Sequence, residues 1–269
     1  MMTKLTNFFT IHRNLGIKVM TFAQKNSISS TKDHFQIFRA IYTWTNVVLL
    51  SIFFASLVLI CFPFVYFFDR ERHSLHWIAI TWALTIGKMN PWWTFEIRGK
   101  ENLATIGEPV VYVSNHQSQA DILAIFMLST RFRWLAKASL FKIPLFGWAL
   151  SAVGYVPVVR TSKSSGEKSI KLSSMHLKRG TPMLFFPEGT RSKTGDLGEF
   201  KSGAFRLAKM LNVSIIPITI SGCSDLLPKG SLCPKYSKVI IHVHDKIEPA
   251  NLTATELMEK AKLTISSKL

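Results

Sequence analysis

From Ala40 to Phe68 the chain carries no charged side chain, and Val47–Ile60 within it is almost wholly apolar. A helix of that length extends about 40 Å, more than the roughly 30 Å hydrocarbon core of a bilayer, so a membrane helix is predicted. It begins too late and runs too long for the apolar region of a signal peptide. Pro63 is expected to kink or end it near its far side. A second apolar segment, Leu75 to Ile86, is shorter and rich in tryptophan, with His73, His76 and Lys88 within or beside it. Its length and aromatic content suit an interfacial or re-entrant helix, with Trp92 and Trp93 at headgroup level. Lys25, Lys32 and Arg39 precede the long run, while Arg70, Arg72 and Lys88 follow it. Basic residues on both sides suit a helical hairpin dipping into one leaflet with both ends cytoplasmic, in preference to a single crossing.

Beyond residue 93 the pattern changes to short β-rich runs alternating with amphipathic stretches. Strands are predicted at Thr94–Arg98, Val110–Ser114, Tyr155–Val159, Met183–Phe186, Ile215–Ile220 and Val239–Val243. Helices are predicted at Ile122–Ser129, Ser169–Lys178, Ala204–Leu211 and Thr255–Ser266. This alternation predicts an α/β domain, a largely parallel sheet flanked by helices, behind an N-terminal membrane helix or hairpin. Runs such as Val110–Val113 read as strands covered on both faces. The Ser- and Lys-rich stretch Thr161–Lys168 is expected to be a mobile loop. The chain thus divides into a basic arm (1–39), a membrane and interfacial helix (40–92), and an α/β domain (93–269).

Composition narrows the partners. The formal net charge is +17, from 33 Lys and Arg against 16 Asp and Glu, which favours anionic partners. A hydrophobic content of 48% and the long uncharged run favour anionic membrane lipids and phosphorylated small molecules over nucleic acid, for which no binding motif is present. Cys61, Cys223 and Cys233 are odd in number and lack CxxC spacing, so neither a disulfide framework nor a structural zinc site is expected.

The predicted strand Val110–Ser114 runs into Asn115 and His116, and a helix is expected from about Ser118. His116 then sits at the carboxyl end of a strand, where open α/β sheets form their ligand crevices. Asp121, five residues on, falls in the first helical turn. Its carboxylate can reach back to one ring nitrogen of His116, leaving the other as a general base. The competing reading is a capping box, with Ser118 as N-cap and Asp121 three residues later. A second cluster, Phe186-Pro187-Glu188-Gly189-Thr190-Arg191, ends a predicted strand in a polar turn. There Arg191 can grip a phosphate bidentately, with Thr190 and turn amides adding donors. Glu188 can hold an acceptor hydroxyl or brace a basic residue. A surface turn with a local ion pair is the structural alternative. Lys137, Arg160 and Lys201 are further basic candidates near strand or turn ends.

Four segments, in this order, resemble the motifs of the glycerolipid acyltransferase family: Asn115-His116-x4-Asp121, Gly154-x4-Val159-Arg160, Phe186–Arg191 and Ile216-Pro217-Ile218. The layout is most similar to that of its bacterial 1-acyl-glycerol-3-phosphate branch. Lys137, Pro144-x-x-Gly147 and Phe200-Lys201-x-Gly203 fit the intervening pattern. The resemblance implies that His116, oriented by Asp121, is the base acting on the free hydroxyl of a lysophospholipid. That oxygen attacks the thioester of acyl-CoA or acyl-carrier protein, with no acyl-enzyme, metal or cofactor. It also implies acceptor-phosphate binding by Arg160, Glu188, Gly189, Thr190 and Arg191, and a place on the bacterial inner membrane with the catalytic domain facing the cytoplasm. One departure bears on the acceptor: where the second motif often has Asp, this chain has Val159. Lysophosphatidate leads, with glycerol 3-phosphate and other lysolipids as alternatives. A thioesterase and a non-catalytic membrane adaptor are the readings from other classes.

Overall fold

The computed structural model describes residues 3–159, 162–192, 196–228 and 230–269, apart from the side chains of residues 3–33 and 163. The expected membrane segment is part of helix α1 (Thr3–Phe68), whose apolar portion, residues 34–68, reaches a mean hydropathy of 2.7. Pro63 lies inside the helix and does not end it. The boundary expected at residue 39 also falls within this helix. After Phe68 the chain reverses. Asp69 accepts from both the backbone and the hydroxyl of Ser74 (2.7 and 2.9 Å), opening α2 (His73–Met89). The two helices run antiparallel, tied by Trp82 Nε1 to Ser51 Oγ (3.1 Å) and Thr43 Oγ1 to Asn90 Oδ1 (2.9 Å). The two apolar segments therefore pack as an antiparallel helix pair.

The α/β domain comes next in the chain as β1 (Trp93–Arg98), β2 (Val111–Ser114), α3 (Ala120–Met127), β3 (Arg133–Lys137), α4 (Phe146–Val153), β4 (Val156–Val158), α5 (Lys163–Lys178), β5 (Met183–Phe185), α6 (Gly203–Leu211), β6 (Ile215–Ser221), α7 (Cys223–Leu226), β7 (Ser237–Val243) and α8 (Ala254–Ser266). Among the described residues the sheet has seven strands in the order β1-β7-β6-β2-β5-β3-β4. Its pairings are parallel except β6 with β7, so the largely parallel sheet holds. The pleat sends Val110 and Tyr112 to one face and Val111 and Val113 to the other. The first face meets α1–α4, and the second meets α5, α6 and α8.

Two elements are not legible in the sequence pattern. Strand β3 begins and ends in cations, Arg133 and Lys137, yet lies between β5 and β4 with Arg133 fully buried. Helix α4 is apolar nearly all round, which hides its period. One expectation is corrected: the segment 161–168 is not a loop throughout, because α5 begins at Lys163. Ser162 caps it, accepting from Ser165 N (3.2 Å), and Ser165 Oγ in turn accepts from Val159 N (2.9 Å).

The hairpin is bolted to the domain at both ends of its apolar portion. Near one end, Trp44 Nε1 donates to Leu232 O (2.7 Å). Near the other, Arg72 donates to Ser151 O and Ala152 O (3.2 Å each). Glu71 there accepts from Arg179 and Thr181 (3.2 Å each) and meets His176 at 3.3 Å, while its carbonyl receives the Arg133 guanidinium.

Candidate active site

Strand β2 ends at Ser114, and Asn115 ties the next turn of chain to β6. Its amide donates to Ile220 O and accepts from Ile220 N, both at 2.8 Å. His116 is therefore held at the carboxyl end of the sheet, as the strand pattern predicts. Its Nδ1 lies 2.8 Å from Asp121 Oδ2. The same oxygen accepts from Gln117 N (2.7 Å) and Ser118 N (2.8 Å), within the first turn of α3. Facing an acceptor, Nδ1 carries the proton, which leaves the lone pair on Nε2. The ring stacks on Phe186, with centroids 4.4 Å apart and planes 27° apart.

Asp121 also completes half of the capping box that its spacing from Ser118 allows. It accepts from Ser118 N, but Ser118 Oγ donates to Leu227 O (2.9 Å) and accepts from Ala120 N (3.3 Å) instead of from Asp121 N. The carboxylate thus organises the loop and the histidine together. Among the described residues no N–H or O–H reaches its other oxygen, Oδ1. The buried Cys223 thiol lies beside this carboxylate. Burial, and secondarily the Asp121 charge, push the thiol well above its ordinary pKa, so it stays protonated.

The second cluster docks directly onto the first. Glu188 accepts from His116 N through Oε1 (2.7 Å) and from Gly198 N through Oε2 (3.0 Å), and Ser192 N donates to His116 O (2.9 Å). Burial raises the pKa of Glu188 above the ordinary carboxylate value, against the smaller opposing pull of the two amide donors. A side chain at Gly198 would meet Glu188 Oε2 at 2.8 Å. Gly189 has φ +70°, and a Cβ there would fall 2.9 Å from Lys201 Nζ, so the lysine lies across the turn.

His116, Lys137, Thr190 and Arg191 all line one cavity of about 880 Å³. Its remaining walls are largely apolar, with Phe54 and Val58 from α1, Trp82 from α2, Ala149 and Leu150 from α4, and Tyr155 before β4. Glu188 sits behind this surface with both oxygens engaged by backbone amides, and Gly189 faces the other side of the turn. Arg160 lies outside the described residues. Phe186 and Asn115 belong to the sequence motifs, but their spacing alone does not mark them as positioning groups. The paired Phe185-Phe186 before a polar turn is the available signal for the first, whereas the strand-to-strand bond of the second leaves none.

The α/β sheet thus carries a His–carboxylate pair at its strand ends, facing a largely apolar cavity. The acyltransferase family model matches residues 94–221. A 1-acyl-sn-glycerol-3-phosphate acyltransferase of Chlamydomonas reinhardtii is 35% identical over 232 residues, 85% of this chain and 68% of that protein. The chloroplastic 1-acyl-sn-glycerol-3-phosphate acyltransferase LPAT1 of Arabidopsis thaliana is 42% identical over 194 residues, 71% of this chain and 54% of its own length. The chain belongs to the acyltransferase family, among relatives named 1-acyl-sn-glycerol-3-phosphate acyltransferases, as the four motifs imply. It spans about half the length of the Arabidopsis protein. The crystal structure of PlsC, the 1-acyl-sn-glycerophosphate acyltransferase of Thermotoga maritima, shares the fold. Its TM-score is 0.73 at 24% identity, covering 88% of this chain and 95% of that one. Since the Arabidopsis relative is described as chloroplastic, kinship does not by itself assign a bacterial inner membrane.

Proposed function

We propose that the chain is a membrane-surface O-acyltransferase that moves a fatty acyl group from a thioester to the sn-2 hydroxyl of 1-acyl-glycerol-3-phosphate, giving phosphatidic acid. The observation that carries this reading is the shared cavity. His116 and the cations Lys137 and Arg191 line the same apolar space, walled in part by the hairpin. A lysophospholipid has that distribution of chemistry, with a phosphate, a nearby hydroxyl and a long chain.

In this reading the acceptor phosphate lies between Lys137 and Arg191, with Thr190 as a further donor. The acceptor O–H gives its proton to His116 Nε2 as its oxygen forms the new bond to the thioester carbon. The carbon–sulfur bond then breaks, and the leaving thiolate recovers the proton from the imidazolium. Asp121 holds the ring and stabilises the imidazolium. Glu188 binds no substrate; it fixes the backbone of His116. The thioester is already activated, so alignment and proton transfer supply most of the required acceleration. CoA and acyl-carrier protein are both suitable carriers.

An in-plane hairpin is preferred to a crossing helix. The domain touches α1 from Trp44 to the turn at Arg72, about 40 Å of helix at 1.5 Å per residue. A perpendicular crossing would draw the polar domain into hydrocarbon. The opposite face of α1 leaves Ile52, Phe53, Ile60 and Phe64 exposed, which suits burial in one leaflet.

The test offers purified protein acyl-CoA or acyl-carrier protein with lysophosphatidate, glycerol 3-phosphate and other lysolipids, and identifies products by mass. Phosphatidic acid is expected, and His116→Ala abolishes it while vesicle association persists. Arg191→Ala raises the acceptor KM. Undiminished turnover of His116→Ala would sink the mechanism, and free fatty acid released without acceptor would favour a thioesterase.

A further inference from the structure

A second cavity, of about 760 Å³, lies on the opposite face of the sheet between α5 and α6. Its floor includes Ile170, Phe185 and Leu207, and its lining carries the cations Lys201, Arg206 and Lys209 against one carboxylate, Glu167. Lys209 is anchored by bonds to Pro249 O and Ala250 O (2.9 and 3.1 Å), whereas Lys201 and Arg206 are exposed. The two cavities meet at Phe186, which lines both and stacks on His116. Gly189 faces this cavity, while the next two residues, Thr190 and Arg191, face the other. The Phe186–Arg191 segment is thus the ridge between them.

The first cavity is walled in part by the hairpin, which the proposed function lays in one leaflet. Among the described residues the second takes no lining from α1 or α2. Acyl transfer joins one membrane-borne substrate to one water-borne, phosphate-bearing carrier. Lys137 and Arg191 already serve the acceptor phosphate, so the carrier's phosphates need other cations.

We propose that the α5–α6 cavity binds the phosphopantetheine end of the acyl donor. Its phosphate lies against Lys201 and Arg206, and its arm crosses the Phe186–Arg191 ridge to bring the thioester to His116. The size falls in the ordinary range for small-molecule sites, and charge complementarity selects a phosphorylated occupant over a neutral one. The assignment rests on the acyl-transfer reading.

The test titrates the full chain in detergent with CoA and with unphosphorylated pantetheine, and measures KM for acyl-CoA, acyl-carrier protein and acceptor. The variants are Arg206→Glu and Met210→Glu, both at exposed positions lining the cavity, with Arg206→Lys as the conservative control. Each glutamate is expected to weaken CoA binding and raise the acyl-CoA KM about tenfold. The acceptor KM and pantetheine binding should stay put, and Arg206→Lys should restore the donor. A parallel rise for acyl-carrier protein identifies the shared phosphopantetheine phosphate as the recognised group; a rise for acyl-CoA alone identifies the nucleotide phosphates. Unchanged donor KM in both glutamate variants, or a change confined to the acceptor, overturns the proposal. CoA binding is read without turnover. Arg206-dependent binding with no acyl transfer would therefore defeat the reaction and keep the site, and transfer with Arg206-independent donor KM would do the reverse.

Discussion

Replacing Asp121 by asparagine isolates the charge of the carboxylate from its shape. In the wild type one oxygen takes three donors, His116 Nδ1 at 2.8 Å, Gln117 N at 2.7 Å and Ser118 N at 2.8 Å. An asparagine carbonyl in the same place accepts all three, so the loop keeps its form. What it lacks is attraction for the imidazolium that appears only as the proton is taken. For opposite unit charges 2.8 Å apart, an effective dielectric of about 20 gives about 6 kcal/mol. The neutral amide retains part of this through its dipole, so the barrier should rise by about 3–6 kcal/mol. That corresponds to a fall in kcat of roughly 10²–10⁴. Acceptor KM should stay within a few-fold, and the thermal midpoint should move by only a few degrees. Steady-state acylation of lysophosphatidate measures the first two, and a melt measures the third. A kcat within tenfold of wild type would refute the pairing of base and carboxylate. A collapse of the melt would show that Asp121 acts through folding instead.

Glu188→Gln replaces one of two acceptor oxygens by an NH₂ that opposes either His116 N or Gly198 N, at about 1–3 kcal/mol for the buried amide left unmet. It should lower both the melting midpoint and kcat while leaving acceptor KM unchanged; a selective KM rise would return Glu188 to the substrate. Ala149→Phe fills part of the apolar cavity and should shift phosphatidic acid products toward shorter chains, as read by mass; an unchanged distribution would move the chain elsewhere. His244, bonded to Thr219 Oγ1 (2.8 Å) and stacked on His242, is held by burial and by that neighbour at a pKa of about 4 against an ordinary 6.5. The unfolded chain then takes the proton first, so stability should fall as pH drops from 6.5 to 4, by about 1–3 kcal/mol. His244→Gln, melted at pH 7 and pH 4.5, should show a smaller loss than wild type.

What could be read from the sequence was local. His116 and Asp121 are five residues apart, so strand-end position and helical spacing suffice to bring them together. The Val110–Ser114 run announces itself through continuous apolar residues that both helix layers cover. Glu188 was different, because its partners are backbone amides, one of them 72 positions away in the chain. Side-chain chemistry gives no hint of which main-chain donor a carboxylate will meet. Strand β3 escaped because Arg133 looks like a surface residue; it is buried because Phe132 O and Glu71 O receive its guanidinium. The segment Thr161–Lys168 reads as a loop because its residues prefer caps and turns, yet Ser162 caps α5 and Ser165 helps anchor it. The cavity could not be read at all, since its lining is drawn from α1, α2, α3, α4 and three strand ends at once.

That mixed lining makes the hairpin part of the site as well as its attachment. Phe54 and Val58 wall the cavity, while Phe53 and Ile60, close by on the same helix, face outward. On the proposed function, a lysolipid leaving the leaflet would pass this helix to reach His116, meeting apolar side chains on both of its faces. The hairpin can do this only if its position relative to the sheet is fixed. The turn supplies that constraint: Glu71 draws in Arg179, Thr181 and His176, and Arg133 reaches its carbonyl from strand β3. Burying Arg133 carries a desolvation cost that packing alone would not demand. Its return is geometric, because the same strand that holds Arg133 ends at Lys137, in the cavity beside His116. The bond from β3 to the hairpin turn thus sets the apolar wall against the Lys137 ammonium, the relation that the proposed amphipathic acceptor requires.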